Sequence, residues 1–214
     1  MKKITLSLVC LLIVWAAQAS NAQYEKTMKA NLLKMKTAKT LTEMQVVATQ
    51  FEKIAQTEKG KWLPNYYGAY VYVQMARLEE KAAKKDQQLD KAAALLSKAA
   101  KLSPNNAEVV ALEAYLALIR ISVDSIARGR EYSGLVFNKV GEAKGLNPKN
   151  PRADLVLAIL KLNMPAIYGG GIEQACPLFK SAAKNFAAFQ PKNDLMPNWG
   201  KAQNAKMMKE VGCD

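Results

Sequence analysis

The stretch DKAAALLSKAAKLSP, residues 90–104, decides the fold class. It places apolar residues at 92, 93, 96, 99, 100 and 102, the spacing of one face of an α-helix, and Pro104 ends the pattern. Within it lies a ladder: a small residue, Ala92, a larger one four positions on, Leu96, and another residue three further, Ala99. The ladder recurs at Val47, Phe51 and Ile54, at Val136, Val140 and Ala143, and at Ala175, Phe179 and Ala182. Pro104 and Pro148 each follow their own copy by five residues, and Ala114 and Ala158 follow the prolines by ten. Such spacing is that of a repeated helix–turn–helix unit.

Working outward, nearly every segment reads as helix. Nine candidates are expected, at roughly 24–37, 41–57, 64–84, 87–102, 105–120, 125–144, 151–163, 171–187 and 199–210. Thr40-Leu-Thr-Glu43 is a capping box, and Asn150-Pro151 offers a cap followed by a proline at the first helical position. β-branched alternating runs are absent, and the short connections predict antiparallel hairpins.

At these residues the chain resembles the tetratricopeptide repeat family. Ala92, Leu96, Ala99 and Pro104 match the pattern of that family's second helix, and Tyr67-Gly68 and Leu157-Ala158 echo the Leu-Gly of its first. Glu113-Ala114 departs from it. The small residues of one helix and the next stand 24 (Gly68 to Ala92), 22 (Ala114 to Val136) and 17 (Ala158 to Ala175) residues apart, against about 12 in a regular unit. The expectation is an all-α, irregular, right-handed tetratricopeptide-like stack of about four antiparallel hairpins plus a C-terminal capping helix. Its two central hairpins should be lengthened at the tips by about one and a half turns per helix.

The segments Gly129-Arg-Glu-Tyr132, Asn147-Pro-Lys-Asn-Pro-Arg152, Tyr168-Gly-Gly-Gly171 and Pro197-Asn-Trp-Gly200 are also similar to a group of exported tetratricopeptide-like proteins of Bacteroidetes-type bacteria. That resemblance implies a fold and an exported setting, and no activity.

Residues 1–22 carry the three-part pattern of a secretory leader: Lys2 and Lys3, an uncharged run from Ile4 to Ala17, and small-residue sites at Ala17-Gln-Ala19 and Ser20-Asn-Ala22. The run is shorter than the roughly 18 residues of a membrane span. One domain is expected from 23 to 214, in the periplasm, at the cell surface or secreted. Losing Lys2 and Lys3 takes the formal charge from +13 down by two to +11, which favours acidic partners. The lysines are spread over most helices rather than gathered in a recognition motif, so nucleic acid ranks last among them.

Chemistry is limited by what is missing. There is no histidine, which removes Ser-His, Cys-His and His-metal constellations, and cleavage would leave only Cys176 and Cys213. These two either form one disulfide tying the last helix to an earlier one or remain separate thiols. No catalytic, cofactor-binding or metal-ligating residue is assigned. Carboxylates, lysines and tyrosines remain as catalysts, with no motif arranging them.

Four of the eight tyrosines lie in Pro64-Asn-Tyr-Tyr-Gly-Ala-Tyr-Val-Tyr72. Tyr66 and Tyr70 share a helical face that would line the concave side of a stack, with Trp62 just before them, while Tyr67 points towards the partner helix. Packing between hairpins is the competing reading of that face. Arg128 and Arg130 are candidate anion clamps, and Gly129 and Gly134 suggest a close backbone contact or an irregular helix start. Asn198 could cap the last helix, and Trp199 could close the apolar end of the stack.

Gly169, Gly170 and Gly171 precede a helix, as phosphate loops do, but no Gly-Lys-Ser/Thr follows and no strand leads in. They read as a turn, with Pro177 placing the regular start of the next helix near Cys176. The expected function is non-enzymatic binding of a protein or peptide on the tyrosine face. The alternative is a small-molecule or glycan carrier with a pocket between the lengthened hairpins.

Overall fold

Short polar motifs start four of the helices. Thr40 accepts the Glu43 N–H at 3.2 Å while the Glu43 carboxylate accepts the Thr40 N–H at 3.0 Å. The Asn106, Asp124 and Asn150 side chains each accept first-turn N–H groups, and Pro151 stands where no donor is needed. The computed structural model describes residues 21–213, and among them it contains helices and no strand. In order these are α1 (21–37), α2 (Leu41–Thr57), α3 (Trp62–Leu78), α4 (Ala82–Leu102), α5 (Ala107–Ile121), α6 (Ser125–Leu146), α7 (Pro151–Asn163), a single 3-10 turn (Ala166–Tyr168), α8 (Ile172–Ala188) and α9 (Lys201–Val211). Apart from residues 21 and 22, which lie in α1, the segment read as a leader lies outside the described residues.

Helices α3 and α4, α5 and α6, and α7 and α8 pack as hairpins. The first helices also touch one another, α3 against α5 and α5 against α7, so the hairpins stack into a single body that α9 closes against α8. All twelve residues of the repeated ladder are buried, with Phe51, Ala92, Ala99, Val136, Ala143 and Phe179 at 0% exposure. The small residues of the first helices let the backbones approach: a Cβ on Gly68 would stand 3.0 Å from the Leu95 Cδ1.

The turn between α3 and α4 falls earlier than the apolar spacing suggests, with α3 ending at Leu78 rather than 84 and α4 starting at Ala82 rather than 87. Glu79 is the cause: its carboxylate accepts the Glu80 and Lys81 N–H groups, both at 3.1 Å, and these donors hold the carboxyl below its usual range. The extra length of the central hairpins is therefore carried by the second helices, α4 with 21 residues and α6 with 22, against 17 in α3 and 15 in α5. Gly129 and Gly134 sit inside continuous α6 with nothing near them, so neither marks a close contact or an irregular start.

The three glycines make the turn from α7 to α8. Gly169 and Gly171 have φ of 75° and 109°, which favours glycine. A Cβ on Gly170 would stand 1.9 Å from the Met164 carbonyl oxygen. Helix α8 then begins at Ile172, not near Cys176, and Pro177 lies inside it on the exposed side, where water can solvate the carbonyl it leaves without a ladder donor. Cys176 and Cys213 are joined in a disulfide that ties α8 to the chain just beyond α9, with Cα atoms 5.2 Å apart. Asn204 of α9 adds a buried bond to the Phe179 carbonyl at 3.1 Å. No helix among the described residues is long and apolar enough to cross a membrane.

Two glycine substitutions should diverge. Gly170→Ala should lower unfolding free energy by about 1–3 kcal/mol, because the Met164 backbone must move, whereas Gly141→Ala, in open space on α6, should raise it by up to about 1 kcal/mol. Urea titration of both variants checks this. The disulfide closes a loop between positions 37 residues apart, so Cys176→Ser/Cys213→Ser should be less stable by up to about 4 kcal/mol on loop-closure entropy, measured by the same titration under oxidising conditions.

Candidate functional site

A cleft of about 540 Å³ opens where the α1–α2 turn, one face of α3 and the start of α9 meet. Met35, Met44 and Val47 form one wall, Tyr70 and Val71 the floor, and Trp199 with the first turns of α9 the other wall. The sulfur and aromatic groups give it a mainly apolar interior, of a size usual for small-ligand sites.

Trp199 is the centre of this arrangement. Its ring stacks on Tyr70 at 5.0 Å and on Tyr115 of α5 at 5.4 Å, and its Nε1 donates to the Tyr66 hydroxyl at 2.8 Å. It arrives on a strap, residues 189–200, that is fastened by three buried hydrogen bonds and an exposed Lys29–Asp194 ion pair. Tyr67 donates its hydroxyl to the Leu195 carbonyl at 2.8 Å, Arg152 donates Nη2 to the Pro197 carbonyl, and Trp199 itself binds Tyr66. Gly200 ends the strap with φ of 102°, and a Cβ there would fall 2.7 Å from the Phe186 ring. Trp199 is thus part of an inner aromatic stack rather than a lid on the end of the molecule, and Asn198 does not cap α9, whose N-cap is Gly200 with no side-chain bond.

Arg152, at 0% exposure, lies beneath the strap. Its guanidinium sits 4.7 Å from the Phe189 ring centre and 5.4 Å from that of Trp199, and Nη1 donates to Glu108 Oε1 at 3.1 Å. Asn150 donates to the same oxygen at 3.1 Å. Burial pushes the Glu108 carboxyl above its usual range, opposed by the Arg152 charge and the two donated bonds. Neither Arg152 nor Glu108 is a candidate site residue from the sequence: Asn150-Pro-Arg152 reads there as a helix start and as part of a segment that carries the family resemblance, and pairing across 44 residues leaves no local signal.

The sequence candidates separate. Tyr66 is fully buried, which overturns its reading as a concave binding residue: its ring meets Trp62 and Tyr67 edge-on at 5.4 Å each, and its hydroxyl is held by Trp199. Trp62 is half-buried against Tyr66 and does not line the cleft, so it too is a packing residue. Tyr70 alone of the three faces the cleft. Burial raises the phenols of Tyr66 and Tyr70 above their usual range, so both stay protonated at ordinary pH. Arg128 is corrected from anion clamp to cross-link: its guanidinium grips Asp86 of α4 through two bonds, at 2.6 and 2.7 Å, and Arg120 adds a third at 3.2 Å. Arg130 is exposed on α6, and neither arginine lines the cleft. No group of three or more metal-ligating side chains occurs among the described residues.

Because the buried pair holds the strap, Arg152→Met should cost about 3–5 kcal/mol by leaving the buried Glu108 carboxyl without its counter-charge. Arg152→Met/Glu108→Leu should recover much of that loss, since no buried charge is then left alone. Equilibrium denaturation of the wild type, the two single variants and the double variant gives the coupling.

No protein-family model and no curated protein matches the chain. Among solved structures, the HusA haemophore from Porphyromonas gingivalis is similar to it with a TM-score of 0.79 and 27% identity, over 88% of this chain and 92% of that one.

Proposed function

We propose that this chain is an exported, non-enzymatic carrier of a flat, largely apolar ligand of the haem class, held in the cleft beside Trp199. The observation that carries the reading is the likeness to a haemophore over nearly the whole of both chains. The cleft suits such a cargo. Tyr70, stacked on Trp199, offers an aromatic surface, and Met35, Met44 and Val47 line the same cleft with apolar groups. With no histidine anywhere in the sequence, no imidazole–iron bond is available, and the cleft's lining offers such a cargo stacking and burial.

Export is part of the proposal, supported by the leader pattern at 1–22, the disulfide and the haemophore likeness. A small cargo displaces the protein or peptide partner as the leading reading, because Tyr66 and Trp62, two of the residues that motivated it, are committed to packing. The single domain from residue 23 to 214 is the unit that carries the cargo.

Titrating purified 23–214 with haemin should give a saturable, one-to-one change in the Soret band. Tyr70→Ala should weaken it about tenfold, the loss of roughly 1.4 kcal/mol of stacking and burial. A folded protein that shows no saturable change would sink the carrier reading.

A further inference from the structure

The mouth of the cleft is cationic on three separate elements. Lys36 near the end of α1, Arg77 in the last turn of α3, and Lys201 and Lys206 on α9 all line it, and no aspartate or glutamate does. Two of these charges are lightly engaged: Lys206 pairs with Glu210 on its own helix at 3.6 Å, and Arg77 donates Nη1 to Gln74 Oε1 at 2.8 Å. Lys36 and Lys201 have no hydrogen-bond or ion-pair partner among the described residues.

Gln74 adds an observation of a different kind. Its Oε1 is taken by Arg77, while its Nε2 is buried, faces no acceptor, and belongs to a residue lining the same cleft. Buried donors without partners are uncommon in folded proteins, and a carboxylate oxygen suits one that stands beside a guanidinium.

We propose that the cleft recognises its cargo by carboxylate groups: the apolar body lies against Tyr70 and Met44, and the acid end meets Arg77 and Gln74, with Lys36 and Lys201 on either side. This rests on the carrier reading and narrows it to amphiphilic organic acids. A guanidinium suits the role because its paired donors match both oxygens of a carboxylate. The lysines sit in water, so their share must fall as salt rises.

The test compares haemin with haemin dimethyl ester, which has the same ring and no free acid, on wild type and on Lys36→Gln/Arg77→Gln/Lys201→Gln. Wild type should prefer the acid about tenfold at low salt and less so at high salt. The triple variant should lose about tenfold on haemin and stay within twofold on the ester. A charge-matched control, Lys53→Gln/Lys98→Gln/Lys149→Gln, removes three exposed lysines outside the cleft and should bind haemin as wild type does. If the triple variant holds haemin within twofold of wild type, if the ester binds as tightly as the acid, or if the control weakens binding equally, carboxylate recognition is wrong while the carrier reading stands. If haemin does not saturate wild type at all, both fail. All six substituted residues are exposed, and a thermal melt by circular dichroism confirms that each variant is folded.

Discussion

A guanidinium with no access to water is a costly thing to build, and Arg152 stands where α7, α5 and the 189–200 strap converge. Its neighbours explain why the site tolerates it. Glu108 supplies the opposite charge, the Pro197 carbonyl takes a second donor, and aromatic rings face the remaining surface of the cation. Nε of Arg152 and Oε2 of Glu108 are still left without partners. An apolar pair could fill the same volume with less strain on solvation, so what the ion pair adds is position: it fixes one carbonyl of a segment that has no regular structure of its own. Through that carbonyl it sets Trp199, and through Trp199 the inner wall of the cleft.

Much of the fold could be read from the chain because the repeat is periodic and local. Val47, Phe51 and Ile54 lie on one helical face whatever packs against them, and Thr40 and Asn150 announce helix starts within three residues of where they act. The structure departs from the periodicity where a side chain overrides it. Glu79 stops α3 by bonding backbone N–H groups that an apolar pattern cannot register, and Pro177 sits inside α8 although its ring usually ends a helix.

The cleft was less legible, and the tyrosines show why. Tyr66 and Tyr70 share a face of α3, so helical geometry alone treats them alike. They part because the strap arrives from more than 120 positions away and covers Tyr66 while leaving Tyr70 at the edge of an opening. The cleft's far wall, including Trp199 and Lys201, belongs to that distant strap and to α9, which follows it, and one sequence without its pairings cannot place it. Glycines 169–171 were simpler: their φ angles and the close Met164 carbonyl are local facts, and a turn was visible in them.

The strap also orders events in time. Each hairpin joins helices that are neighbours in the chain, so its closure spans a short loop and needs nothing downstream. The bonds from Tyr67 to Leu195 and from Trp199 to Tyr66 instead close loops of 128 and 133 residues. As the chain emerges from its N-terminus, the hairpins can therefore stack while the cleft still lacks one side. The cleft is the final piece assembled, so a half-made or C-terminally clipped molecule would keep much of its helical body and lack the side of the cleft that Trp199 and α9 supply.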